Sequence, residues 1–211
     1  MRIVMLGPQG AGKGTQAARL AEKFGIQAIA TGEIFRWAIS SHNELGEKVQ
    51  IAVESGQLVP DDLTIEIVRE RLRADDVQEG FLLDGFPRSI PQAEALDEIL
   101  AAQGVGLDAA VVIEVPEEVS LRRILGRRVC SSCGRNYHVD APPKEDWTCD
   151  VCGGEVVPRS DDNEAALRKR LDLYHEQTEP VKAYYKDRGL LREVDGLGTQ
   201  QEVFDRIVEK L

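Results

Sequence analysis

The chain of 211 residues is 42% apolar and 30% charged, with a formal net charge of −11 at pH 7. Such a length buries one main core with room for small inserted modules, and the composition argues against disorder. The acidic balance disfavours nucleic acid and anionic membranes as partners, which leaves polyanion contact to local basic clusters: Arg122-Arg123, Arg127-Arg128 and Arg168-Lys169-Arg170.

In chain order, residues 3–6 are a short apolar run before glycine, a strand too short for a signal-peptide core or a membrane span, so a cytoplasmic protein is expected. The segment GPQGAGKGT (7–15) and the helical pattern TQAARLAEKFG follow. Residues 30–59 read as two successive helices with no strand between them. Helical periodicity returns at 64–72, 91–103 and 117–125, and strand-like runs stand at 81–83, 109–115 and 191–194. SIPQ (89–92) and TQQE (199–202) are capping-box patterns that open helices. This alternation is that of an α/β fold with a parallel sheet covered on both faces. Residues 127–159, rich in Gly, Pro, Cys and polar residues, break the rhythm and read as an inserted loop-and-hairpin module.

Residues 7–15 lie between a strand and a helix, the context a phosphate-binding loop requires. Its glycines let backbone N–H groups point inward, the helix N-terminus adds partial positive charge, and Lys13 reaches the β and γ phosphates. A ligand-free glycine turn is the plainer alternative. Gly14 stands where such loops carry the Ser or Thr that holds Mg²⁺, and Thr15 comes one residue late. Mg²⁺ is then expected to rest on substrate phosphates and water, with Asp84, at the carboxyl end of its strand, behind those waters.

All four cysteines fall in one pattern, Cys130-x2-Cys133, fifteen residues, Cys149-x2-Cys152. Two knuckles of this spacing supply four thiolates to one structural Zn²⁺, with redox dithiols or two disulfides as the alternatives. Between Cys130 and Cys152, Arg135 and Lys144 face Asp140, Glu145, Asp146 and Asp150, a surface that does not attract nucleic acid. His42, His138 and His175 show no ligand or triad spacing and read as structural or surface residues.

GPQGAGKGT, TGEIFR, GQLVP, LLDGFPRS…PQ, GRR and RSDD…RKR occur in the order and spacing of the adenylate kinases, which the chain resembles over essentially its whole length. The resemblance implies MgATP + AMP ⇌ 2 ADP on a three-layer P-loop core with a doubly wound parallel sheet (1–29, 60–126 and 160–211). It implies a helical AMP-binding insert (30–59) and a zinc-ribbon lid (127–159) hinged near Gly126 and Ser160. ATP would meet Gly10, Ala11, Gly12, Lys13, Gly14, Thr15, Arg123, Arg127, Asn136, Tyr137 and Gly198. AMP would meet Thr31, Arg36, Gln57, Leu58, Val59, Gly85, Phe86, Pro87, Arg88 and Gln92, the last reading the adenine edge. Arg159 and Arg168 would reach both nucleotides, completing with Lys13, Arg88 and Arg127 the catalytic cations. A monomer is implied as well. The chain departs from the family's common Ser-Thr-Gly-Asp at Ala30-Thr31-Gly32-Glu33.

Two other readings compete: a monophosphate kinase of different base preference, and a regulatory ATP-binding protein whose zinc module holds a partner. The arginines at 36, 88, 159 and 168 favour a kinase, because a binder of ATP alone needs no second phosphate site.

Overall fold

The computed structural model describes residues 1–159, 162 and 164–211, with the backbone alone at 164 and 165. Its elements run Arg2–Leu6 (β1), Lys13–Phe24 (α1), Gln27–Ala30 (β2), Thr31–Ser40 (α2), Glu44–Ser55 (α3), Asp61–Arg71 (α4), Phe81–Asp84 (β3), Ile90–Ala102 (α5), Ala109–Glu114 (β4) and Glu117–Leu125 (α6). They continue with Arg127–Cys130 (β5), Asn136–His138 (β6), Val156–Pro158 (β7), Glu164–Leu173 (α7), a π-helical turn at Tyr174–Thr178, Glu179–Asp187 (α8), Leu191–Asp195 (β8) and Gln200–Lys210 (α9).

Five strands form one parallel sheet in the order β2-β3-β1-β4-β8. Side chains of a strand alternate between faces, and both faces here are buried. Ile3 and Met5 join Leu20 of α1 and Ile207 of α9 on one side, while Val4 and Leu6 join Leu96 of α5 and Val181 of α8 on the other. Helices on both faces of a parallel sheet make the three-layer doubly wound architecture. Among the described residues no helix is long and apolar enough to cross a membrane.

The strand β2 was not expected from the sequence. It is an edge strand, only Ile29 of its four residues is buried, and its short mixed run carries no periodic signal. The TQQE segment forms both halves of its capping box at Thr199 and Glu202. At SIPQ only one half forms: Ser89 accepts from the Gln92 backbone N–H, while the Gln92 amide turns elsewhere.

The two inserted segments carry their own small cores. Phe35, Val49 and Val59 pack together beneath α2 and α3. The second segment is a three-stranded antiparallel sheet, order β6-β5-β7, whose core is Cys130, Cys149 and Val156 with Tyr137 and Trp147 against it. Of the lid boundary, Ser160 and Asp161 lie outside the described residues.

Candidate active site

The strand β1 delivers the chain into a loop whose shape glycine dictates. Gly7, Gly10 and Gly12 all have positive φ, at 131°, 78° and 99°. A side chain on Gly10 would lie 2.5 Å from the Ser120 carbonyl oxygen of α6, so that residue can only be glycine. The Ser120 hydroxyl donates back to the Gln9 carbonyl, which ties loop and helix together. At the loop's centre the Lys13 Nζ donates to the carbonyls of Gly7 (2.8 Å) and Pro8 (2.9 Å). Burial pulls its pKa down to about 8; the charges of Arg88 and Arg127 push the same way, and Asp84 opposes them.

Asp84 answers the departure at Gly14. The space a Gly14 Cβ would fill lies 3.4 Å from the Asp84 Oδ2, so a carboxylate faces the position where related loops carry a hydroxyl. The residues present suit a Mg²⁺ that arrives with ATP: one acceptor-only side chain beside the first turn of α1, amid cations.

Beyond β3 opens a cleft lined by Thr31, Arg36, Gln57, Leu58, Val59, Gly85, Arg88, Gln92, Arg159 and Arg170, among others. Thr31 donates to the Gly85 carbonyl (3.0 Å), and the Arg88 Nε donates to the same oxygen (2.8 Å). Arg88 is held at its other end too, its carbonyl accepting from Thr178 at 2.9 Å. Burial lowers the Arg88 pKa, opposed by Asp84 and reinforced by Arg170 and Arg159. Lys13 thus feels the charges of Arg88 and Arg127, and Arg88 those of Arg170 and Arg159, with the Asp84 carboxylate among them, an arrangement suited to a multiply charged anion.

Phe86 and Pro87 are buried, Phe86 within the main core, and neither is among the residues that line the cleft. Arg168 is exposed and outside the cleft lining, whereas Arg170 lines it. Residues two apart on a helix point roughly 200° apart, so only one of them can face the cleft. Arg170 also donates to the Val53 carbonyl of α3 (2.9 Å), and α7 packs closely on Gly56. Sequence reasoning missed two carboxylates as well. Asp162 accepts two hydrogen bonds from Arg127, at 2.7 and 2.5 Å, and lies 3.8 Å from Arg170. Asp61 accepts from Ser89 and Gln92.

Beside the loop, Arg123 spans two segments, donating to the carbonyls of Ala11 (3.3 Å) and Gly196 (3.0 Å). Burial depresses its pKa. Gly198 lies in the next turn with φ 106°, beside the Glu202 carboxylate. Asn136 is exposed on β6, and the Tyr137 hydroxyl donates to the Cys149 Sγ (3.4 Å) and accepts from the Asp150 N–H (2.8 Å).

The four cysteine sulfurs lie within 4.8 Å of one another. Cys130 to Cys152 is 3.5 Å and Cys133 to Cys149 is 3.6 Å. A disulfide needs about 2.05 Å, and a tetrahedral zinc with bonds of about 2.3 Å spaces its sulfurs about 3.8 Å apart. The cluster therefore fits a metal and not disulfides. Each knuckle closes alike: Gly134 and Gly153, both left-handed, donate to the carbonyls of Cys130 and Cys149 at 3.0 Å. Four protein ligands leave no position for substrate, so such a site is structural.

The family model for adenylate kinase matches residues 5–190. Adenylate kinases of Clostridium botulinum strain Langeland (52% identical over 208 residues, 98% of this chain and 96% of the relative) and of Carboxydothermus hydrogenoformans (50% over 212 residues, 100% and 99%) are similar along nearly their whole lengths. So is that of Streptomyces avermitilis, 49% identical over 213 residues, 100% of this chain and 97% of the relative. The chain belongs to the adenylate kinase family, the nucleoside monophosphate kinases that transfer a phosphoryl group between ATP and AMP.

Proposed function

We propose that this kinase catalyses MgATP + AMP ⇌ 2 ADP by direct in-line transfer, with ATP on the phosphate loop and AMP in the cleft between α2, α3 and β3. The observation that carries the reading is the gathering of Lys13, Arg88, Arg127, Arg159 and Arg170 around the boundary between loop and cleft. An AMP phosphate is already an anionic nucleophile at neutral pH, so the reaction needs no general base. What it needs is alignment and cancellation of charge as two polyanions meet. Arginine suits this, because its planar fork pairs bidentately with phosphate oxygens.

On the AMP side, Arg36, Arg88 and Arg159 hold the phosphate, Thr31 and the backbone of 57–59 line the nucleoside, and Gln92 reads the base. On the ATP side, Lys13 and the N–H groups of residues 10–15 cradle the phosphates, while Arg123, Arg127, Asn136, Tyr137 and Gly198 complete the site. Arg170, facing the cleft, takes the role that the resemblance assigns to Arg168. Asp162 keeps Arg127 and Arg170 paired with a carboxylate until phosphates replace it. Mg²⁺ entering with ATP would supply further charge neutralisation, with Asp84 the residue that would hold it through water. Zn²⁺ on the four cysteines gives order to a lid too small for a large core of its own. The segments 30–59 and 127–159 act as domains that close over the substrates, in a cytoplasmic monomer.

Coupled assay of ADP formation from MgATP with AMP, GMP, UMP and CMP in turn tests the reading. AMP turnover far above the others supports it, and comparable turnover with another monophosphate or none with AMP overturns it.

A further inference from the structure

Gln92 is an ambiguous reader. Its terminal amide presents a donor and an acceptor side by side, and rotating the group by 180° exchanges them. Adenine offers an acceptor at N1 and a donor at its amino group. Hypoxanthine, of nearly the same shape, offers a donor at N1 and an acceptor at O6. An amide free to rotate would serve both bases. The buried Gln92 is not free. Its Oε1 accepts from the Arg88 backbone N–H (2.8 Å), and its Nε2 donates to the Asp61 Oδ1 (2.6 Å). A backbone N–H can only donate and a carboxylate can only accept. The rotated amide would set N–H against N–H at Arg88 and oxygen against oxygen at Asp61. Asp61 is itself held: its Oδ2 accepts from the Ser89 hydroxyl (2.7 Å), and it opens α4, where the helix N-terminus favours a negative charge.

We propose that Asp61 is a specificity-determining positioning residue: it locks the Gln92 amide in the orientation complementary to adenine, so that the AMP site rejects a 6-oxopurine monophosphate. The lock spends one N–H and one lone pair of the amide, and leaves one of each for the base. The inference rests on the reading that Gln92 meets the base of AMP.

The experiment compares kcat/KM for AMP and for inosine monophosphate, with MgATP saturating, in the wild type, Asp61→Asn, Ser89→Ala and Gln92→Leu. The wild type should prefer AMP by roughly 10³-fold or more, because a site built to hydrogen-bond one edge rejects its inverse strongly. Asp61→Asn keeps the shape but accepts either amide orientation. It should raise the relative use of inosine monophosphate about 10- to 100-fold, the Arg88 N–H still opposing rotation. AMP turnover at saturation should change little. Ser89→Ala removes the other Asp61 partner and a helix cap; it should lower stability and leave the ratio in place. A ratio in Asp61→Asn equal to that of the wild type, with Gln92→Leu collapsing it, overturns the lock while sparing Gln92 as the reader. A ratio unmoved by Gln92→Leu overturns the assignment of Gln92 itself. Wild-type discrimination below about tenfold overturns the proposal without any variant.

Discussion

Lys13→Met separates what the loop lysine costs the fold from what it contributes to the reaction. In the ligand-free protein its pKa falls from 10.5 to about 8, chiefly through burial. A depressed pKa on a base means that below pH 8 both the folded and the unfolded chain carry the proton, and the full cost of the buried charge is present. Between pH 8 and 10.5 the folded chain releases the proton first, so the cost fades, and above 10.5 it is gone. At about 1.4 kcal/mol per pH unit the swing is ~3 kcal/mol, an upper bound because the side chain keeps some contact with water. Methionine removes that cost and forfeits the hydrogen bonds to Gly7 and Pro8, each worth about 1 kcal/mol. The variant should therefore be slightly more stable than the wild type at pH 7, and less stable near pH 10.5. For a chain of this size the relative melting temperatures should shift by roughly 10 °C across that range. Thermal unfolding of both proteins without nucleotide, from pH 7 to 10.5, reads the difference directly. ATP should stabilise the wild type more than the variant, since its phosphates pair with the lysine. Turnover of the variant should fall about 10²- to 10³-fold. A stability difference that stays flat with pH would refute the buried-cation argument, and near-normal turnover would refute the catalytic role.

Arg88→Ala should cut turnover about 10²- to 10³-fold in a protein that still folds, read by the coupled assay and a melting curve. Arg170→Ala should lose turnover on a similar scale while Arg168→Ala keeps it within about threefold; the reverse order would restore the assignment that the resemblance implies. Metal analysis should find one zinc per chain. Replacing Cys130 and Cys149 by Ser should release it and lower the melting temperature, with turnover at low temperature reduced less than about tenfold. Activity that follows zinc while stability does not would make the metal catalytic.

Several features of this chain are written in short-range spacing alone. The phosphate loop, the paired Cys-x2-Cys-Gly knuckles and the capping box at Thr199 are each specified within a few residues, because backbone geometry over one turn decides them. Buried strands such as Ile3–Leu6 were equally legible, since covering both faces leaves an unbroken apolar run. Which way helices face, and what meets across distance, depends on packing. Arg168 and Arg170 are indistinguishable in a basic run until α7 docks against Val53 and turns one of them inward. Gly14 looks like a lost metal ligand until β3 brings the Asp84 carboxylate opposite it. Gln92 reads as half of a capping box until α4 sets Asp61 within 2.6 Å of its amide. In each case the partner lies tens of residues away, and no local preference encodes the angle at which packed elements present a side chain to it.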